Sequence, residues 1–270
     1  MRLVFAVAKD GRTYLERQYA SYPFHICRTQ HLDAEPAGLA TLYLQSCAGG
    51  IYEGDELLME ITASEGAALH LTTQASTIVH RCDGLPAKQT AWIAAKAGTL
   101  VEYFPDPAIL FAGARFHSTL TVRAHETARL LLSDAFLPHD PTGGDRPFGW
   151  LQSEIRIEDE AGRLLALDRF RIDGGTIAAG EVGLAGRHRI QGVVMAIDRR
   201  GDKAGLMTIL RDALAGAAGV FWGVSSLPND CGAWLRLSAE DGASLRRAMT
   251  MAWTACRKFM TGVAPAPRRK

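Results

Sequence analysis

Runs of alternating apolar residues, each broken by a tight turn and then resumed, recur through the first two thirds of the chain. DELLMEITASEGAALHLTT turns at Glu65-Gly66 and QTAWIAAKAGTLVEYFP at Ala97-Gly98. FHSTLTVRAHETARLLLSDAF turns at Glu126-Thr127, and SEIRIEDEAGRLLALDRFRI at Ala161-Gly162. The turns fall about 30 residues apart, the spacing of stacked supersecondary units. Read singly, each unit is a hairpin, marginal in water. Stacked, the units bury their apolar faces and cover one another's edges. The pattern therefore predicts a mainly β protein, a β-solenoid or layered stack of strands. A β-sandwich or barrel, which also shows short strands and frequent turns, is the alternative.

The last third changes period. Leu206, Ile209, Leu210 and Leu214 follow helical spacing, with Gly216 and Gly219 beyond them. A second helix is expected after Ser238, with Asp241 three residues on as a capping box, and Gly262 at its end. Its apolar stripe is Leu245, Met249, Ala252, Trp253, Cys256 and Phe259 or Met260, with Arg246, Arg247, Arg257 and Lys258 on the other side. Residues 1–203 thus form a β body and 204–262 a helical region packed on it, with an intervening strand. Residues 263–270, ending APAPRRK, read as a disordered tail. The helix covers the end of the stack or, through Leu245, Met249, Trp253 and Phe259, docks a partner.

With 270 residues, 47% hydrophobic, 22% charged and a net charge of +1, no strong field favours nucleic acid or an anionic membrane. No stretch has the roughly 18 apolar residues of a membrane span, and no secretory leader is evident. The five cysteines are scattered, unlike a disulfide framework. A cytoplasmic location is expected.

GxSxG, GxxxxGK[ST], HExxH and GxGxxG are absent. AGGIYEGD and PTGGDRP read as glycine turns between strands. Among eight histidines, His25-Ile26-Cys27 and His80-Arg81-Cys82-Asp83 set an imidazole and a thiol at i and i+2, on one side of a strand. Such ligands suit nickel, zinc or copper. His80 and Cys82 are the preferred metal-ligand candidates, as a weak transit site rather than a tight one. The polar run Thr72-Thr73-Gln74-Ala75-Ser76-Thr77 interrupts two apolar stretches. Its hydroxyls either form a hydrogen-bonded ladder or line a wet passage.

Gly49-Gly50, Gly54-Asp55, Thr72-Thr73-Gln74-Ala75, Thr77 and Arg81 stand in the order and spacing of the signature of the UreD (UreH) family of urease accessory proteins. FPDPAILFAGARFHSTLTV, with Pro105, Ile109-Leu110-Phe111 and Gly113-Ala114-Arg115, resembles that family's next block, and DRFRIDGG and GVSSLPNDCGAWLRL resemble later ones. The likeness runs from about residue 10 to 262. It departs at Ser46-Cys47-Ala48, Pro105-Asp106-Pro107, Gly144-Asp145-Arg146 and the terminal APAPRRK.

The resemblance implies a right-handed β-helix with a small helical part. It implies a non-catalytic metallochaperone scaffold for nickel insertion into urease apoprotein, acting with UreF and the GTPase UreG. Nickel(II) would pass transiently, with no tightly bound cofactor. Asp55, Thr72, Thr73, Gln74, Thr77 and Arg115 would be motif or passage residues, and the C-terminal helical region would meet UreF. On this reading, replacing Asp55 by Ala lowers urease activation without unfolding the chain. The competing expectations are a β-solenoid enzyme acting on carbohydrate, which needs paired acids where Glu53, Asp55, Glu60 and Glu102 are scattered, and a β-rich adaptor that binds no metal.

Overall fold

The structure, a computed structural model, describes residues 1–36 and 38–268. The chain begins with β1 (Arg2–Val7), β2 (Thr13–Tyr19), β3 (Phe24–Ile26), β4 (Ala40–Ser46), β5 (Glu56–Ala63) and β6 (Ala68–Thr73). It continues through β7 (Ile78–Val79), β8 (Ala87–Ala95), β9 (Leu100–Tyr103), β10 (Ala108–Phe111), β11 (Arg115–Ala124) and β12 (Arg129–His139). Then come β13 (Trp150–Asp159), β14 (Leu164–Asp173), α1 (Gly174–Ala179), β15 (Ile190–Asp198) and α2 (Lys203–Leu214). The chain closes with β16 (Val220–Ser226), β17 (Gly232–Ala239) and α3 (Gly242–Thr261).

From β4 to β13 the longer strands alternate between two sheets and pair in parallel with strands one coil away. One sheet runs β14-β13-β11-β8-β5-β1-β2, the other β16-β17-β15-β12-β9-β6-β4-β3. A short third strip stacks Ile51, β7, β10 and the end of β12. The result is a β-solenoid of about four turns with a C-terminal helix.

The hairpins expected at three of the four turns are not hairpins. β5 pairs with β1 and β8, and β6 with β4 and β9, so Glu65-Gly66 is a corner between sheets. Ala97-Gly98 and Glu126-Thr127 are the same corner in the next coils. Gly66 and Gly98 hold φ of 73° and 67° there, the left-handed region that favours glycine. The coils are tied by Gly66 N–H to Ala97 O (2.9 Å) and Gly98 N–H to Thr127 Oγ1 (2.9 Å). The turn at Ala161-Gly162 is a true hairpin, because β13 and β14 pair antiparallel. That pairing ends the parallel stack, as the β1–β2 hairpin does at the other end. β15, β17 and β16, in that spatial order, extend the second sheet with antiparallel pairing, so segment 204–262 shares a sheet with the body.

Parallel register turns the strand period of two into rows of like residues. Leu3, Ile61, Ile93, Val122 and Ile157 stand side by side on the inner face of the first sheet. Leu42, Leu71, Tyr103 and Leu132 face them from the second. Together they form the buried interior of the coil. The outer face of the second sheet carries Leu131, Val194, Ala196 and Leu235, covered by α2 and α3.

Helix α3 begins three residues later than expected. Ser238 lies in β17, and Asp241 is the N-cap itself, its carboxylate accepting from Ser244 N–H at 2.7 Å. Leu245, Met249, Ala252, Trp253, Cys256 and Met260 are buried against the sheet, each large side chain contributing about 1.5–3 kcal/mol. Leu245, Met249 and Trp253 are therefore internal packing, not partner contacts as expected. Of those four candidates, Phe259 keeps exposed surface, at 39%.

Arg257, expected on the solvent face, is fully buried. The outer face of the second sheet holds a row Thr41-His70-Glu102-Leu131, and Glu102 lies directly under α3. Its carboxylate accepts from Arg257 Nε and Nη2, from Trp253 Nε1 at 2.8 Å and from His70 Nδ1 at 2.7 Å. Arg257 also faces Asp33 (3.4 Å), which accepts from Arg268 and from the Ala266 N–H (2.8 Å). Residues 266–268, expected to be disordered, are thus fastened to the body, because the buried Asp33 carboxylate takes its donors from them. Arg269 and Lys270 lie outside the described residues.

Burial alone would raise the Glu102 pKa. The donors from Arg257 and His70 outweigh it and hold Glu102 at about 2. Burial lowers the His70 pKa, and the two neighbouring guanidiniums lower it further against the pull of Glu102, so His70 is neutral and donates from Nδ1. The cluster then holds two carboxylates and two guanidiniums.

Removing one member of such a pair strands a buried charge. Arg257→Met should cost about 3–5 kcal/mol in urea unfolding. Glu102→Met/Arg257→Met should lose less than Arg257→Met alone; an equal or larger loss would refute the stranded-charge account. The His70 pKa lies below its usual 6.5, so the unfolded chain binds more protons just under that pH and stability falls as pH drops through it. His70→Asn, whose amide nitrogen replaces Nδ1, should unfold at lower temperature at neutral pH. Its melting temperature should change less between about pH 7 and pH 5 than that of the wild type. Parallel profiles would assign the acid sensitivity elsewhere.

Candidate functional site

The inner rows of the first sheet lose their apolar character toward one side of the coil. Beside Met59-Ala91-Leu120-Ile155 runs the row Leu57-Gln89-Ser118-Ser153. Opposite it the second sheet presents Thr73, Tyr103 and Asp134. Loop 74–77, which links β6 to the third strip, closes the remaining side. These groups line a cavity of about 520 Å³ inside the solenoid, with Phe24, Leu44, Asp106 and Phe116 at its walls. A wet interior satisfies polar groups that a dry core would penalise.

Asp134, with Asp106, is one of two acidic residues in this wall. It accepts from Ser153 Oγ at 2.7 Å, and burial, reinforced by Asp168, pushes its pKa above the usual carboxylate range. It also borders a smaller crevice lined by Phe170, Gln191 and Arg236. Arg236 makes a two-pronged ion pair with Asp168, at 2.7 Å to each oxygen. A carboxylate with hydroxyls and amides around it offers hard oxygen ligands and a negative field to a passing cation.

The motif residues divide. Thr73, Gln74 and Thr77 line the cavity. Thr73 Oγ1 accepts from Asp106 N–H at 2.9 Å. Thr72, one residue out of phase, is buried on the opposite face of its strand. Asp55 is a turn residue outside the cavity, its carboxylate accepting from Tyr52 N–H at 2.8 Å. Arg115 is also outside, donating to the carbonyls of Asp83 (3.0 Å) and Gly84 (3.2 Å). Thr72, Asp55 and Arg115, expected as passage residues, are not among the residues that line this cavity.

His80 and Cys82 do not form a chelating pair. The third strip ends at Val79, so the alternation that would place both on one side stops before them. His80 stacks on Tyr52 at 4.2 Å with Nε2 against Gly49 O at 3.1 Å. Gly50 is required there: a Cβ would fall 2.9 Å from the imidazole, at a φ of 145°. Cys82 is buried and its thiol points to the carbonyls of His80 and Arg115 (3.4 and 3.6 Å). Among the described residues no three of His, Cys, Asp and Glu converge on a point that a metal could occupy.

The acids a glycosidase would need are each engaged apart. Glu53 accepts the N–H groups of Asp83 and Gly84, Glu60 pairs with Arg2, and Glu102 lies under α3. Asp134, Gln89, Ser118 and Tyr103 were not singled out from sequence. The one available signal was the Ser133-Asp134 step inside the apolar run LLLSDAF. No helix among the described residues is long and apolar enough to cross a membrane.

The profile of a family described as UreD urease accessory protein matches residues 1–270. The chain is similar to urease accessory protein UreD 1 of Pseudomonas syringae pv. syringae, 37% identical over 268 residues, covering 99% of this chain and 94% of that one. It is 40% identical over 269 residues to UreD 1 of Methylorubrum extorquens, covering 99% and 90%. To UreD 3 of Bradyrhizobium sp. strain ORS 278 it is 35% identical over 262 residues, covering 96% and 91%.

An ionised Asp134 is held in the fold at a cost, since its raised pKa means that the native state binds the proton more tightly than the unfolded chain. Stability therefore falls as pH rises through that interval. Asp134→Asn keeps an acceptor for Ser153 and should raise the melting temperature at neutral pH, with the gain vanishing in acid. A lower melting temperature at neutral pH would show that the carboxylate is structurally favourable.

Proposed function

The chain belongs to the UreD family of urease accessory proteins, whose role is urease maturation and whose members are not catalysts, and from that premise we propose that its polar cavity carries nickel(II) toward the urease apoprotein. Nickel is cargo here, held transiently. The observation that carries the reading is the cavity itself, lined by Thr73, Gln74 and Thr77 of the signature together with Asp134. A conduit must lower the barrier for a hydrated dication without binding it tightly. Hydroxyl and amide oxygens exchange for water at little cost, and the two acidic residues of the wall, Asp106 and Asp134, supply attraction short of a full ligand set.

The same reading places the protein in the cytoplasm, in a complex with UreF and with UreG, the GTPase that supplies nickel. UreF docks on the C-terminal helical region. With Leu245, Met249 and Trp253 buried, the surface that α3 can offer is its outward side, including Met251 and Phe259, exposed at 38% and 39%. The glycosidase reading loses its support because Glu53, Glu60 and Glu102 point to different places.

The test is co-expression with the urease subunits and the other maturation proteins in cells lacking their own copy of this chain. Urease activity and the nickel content of purified urease are the readouts. Asp134→Asn and Thr77→Val should lower both severalfold while the variants still co-purify with UreF. Asp55→Ala should act through stability instead, with its loss recovered at lower growth temperature. Full nickel loading with Asp134→Asn would remove the cavity from the nickel route.

A further inference from the structure

Of the two His-x-Cys pairs in the sequence, the one that the fold brings together is His25 and Cys27. β3 pairs antiparallel with β4, and the register sets His25 directly opposite Gln45. Side chains at opposed positions share a face, and Cys27, two residues beyond His25, falls on that face too. Phe24 and Ile26 turn the other way, against the core. Three donor atoms of different kinds therefore meet at the sheet edge. His25 Nδ1 lies 2.8 Å from Gln45 Oε1, Cys27 Sγ lies 3.2 Å from the same oxygen, and Sγ and Nδ1 are 3.7 Å apart.

These separations match a metal's ligand shell. Bonds of about 2.3 Å to sulfur and about 2.0–2.1 Å to imidazole nitrogen, at a tetrahedral angle, put the two donors about 3.6 Å apart. The amide oxygen need withdraw by only roughly half an ångström to take a third position. Gln45 is held from behind, its Nε2 donating to Gln74 Oε1 at 3.2 Å. Gln45 and Gln74 both border the interior cavity. The edge position of β3 leaves His25 exposed and the remaining coordination positions open to water.

We propose that His25, Cys27 and Gln45 form a binding site for a borderline-soft divalent cation, Ni²⁺ or Zn²⁺ in chemical class, at the rim of the cavity. A mixed nitrogen, sulfur and oxygen set of this kind selects late transition metals over Mg²⁺ and Ca²⁺. On binding, the Cys27 thiol proton leaves to solvent and the thiolate donates its electron pair to the metal. The proton on His25 Nδ1 is exchanged through water to Nε2, so the imidazole stays neutral and one proton is released per ion. With three protein donors and open positions the site loads and unloads, unlike a closed structural one. The site stands on donor geometry alone and does not require that the cavity be a conduit.

The full-length reduced protein is titrated with Co²⁺, whose thiolate charge-transfer absorption reports sulfur ligation, and then with Ni²⁺ in competition. Cys82, Cys231 and Cys256 are buried, so the accessible thiols are Cys27 and the exposed Cys47. The absorption should appear at one equivalent, vanish in Cys27→Ser and persist in Cys47→Ser and Cys82→Ser. His25→Ala and Gln45→Leu should weaken binding, the former roughly tenfold or more. His25, Cys27, Gln45 and Cys47 lie on the surface or rim while Cys82 is buried, and unchanged circular dichroism serves as the folding control for every variant. No charge-transfer absorption, its survival in Cys27→Ser, or its loss in Cys47→Ser would overturn the assignment. Because the readout is metal binding by this chain alone, failure of urease activation in the earlier test leaves it unaffected.

Discussion

The Glu102 carboxylate governs how the two parts of the molecule meet. It occupies an outward position on β9, where a solenoid strand would ordinarily show water a charge, and here α3 covers it. A buried carboxylate must be matched in charge and hydrogen bonding, or it costs several kcal/mol. Arg257 supplies the charge, Trp253 and His70 supply further donors, and Asp33 answers the second charge that Arg257 brings. Asp33 in turn draws in Arg268 and the backbone at Ala266. One acidic residue thereby fixes the axial position of a helix, the course of the chain end and the tautomer of a histidine. Apolar packing alone would tolerate slippage of α3 along the sheet; this network does not.

The same logic of stacked register creates the cavity. In a parallel coil, a residue's neighbours are set by the corners before and after it, so a single choice is repeated at each level. Ile61, Ile93, Val122 and Ile157 give a dry row, and four residues earlier Leu57, Gln89, Ser118 and Ser153 give one that turns polar. The polar row is stable because the third strip holds the walls apart and Ser153 bonds to Asp134. A β-sandwich made of the same strands would press that row against the opposite sheet and force the polar groups to find partners or be lost.

Much of the fold was legible because the turns at Gly66, Gly98, Thr127 and Gly162 recur about 30 residues apart, the spacing of stacked units. The error was local. Strand, glycine turn and strand look alike whether the strands pair with each other or with the next coil, and the sequence around Gly66 carries no mark of the difference. Around Gly162 the chain has the same form and does pair with itself. Arg257 shows a different failure. It stands one turn from Trp253 and between Cys256 and Met260, inside the apolar stripe by helical geometry, yet its charge assigned it to solvent. The pattern held the answer, and the missing information was Glu102 on a distant strand. For the cavity, the Thr-Thr-Gln-Ala-Ser-Thr run was visible, while Asp134 needed the register to show what it faces.

Two pairs with the same His-x-Cys spacing meet opposite fates, and strand pairing decides between them. His25 and Cys27 extend from a strand whose partner presents a glutamine amide to the same face, so alternation converges three donors. His80 and Cys82 lie just past the end of a two-residue strand. There the imidazole is taken up by Tyr52, and the thiol turns inward to carbonyls. Cys27 also lies one residue past the end of β3, so what separates the two pairs is the opposed Gln45, which His25 and Cys27 both reach and which His80 and Cys82 lack. At a strand end the side chains follow the local turn, and the spacing in sequence no longer fixes their direction in space.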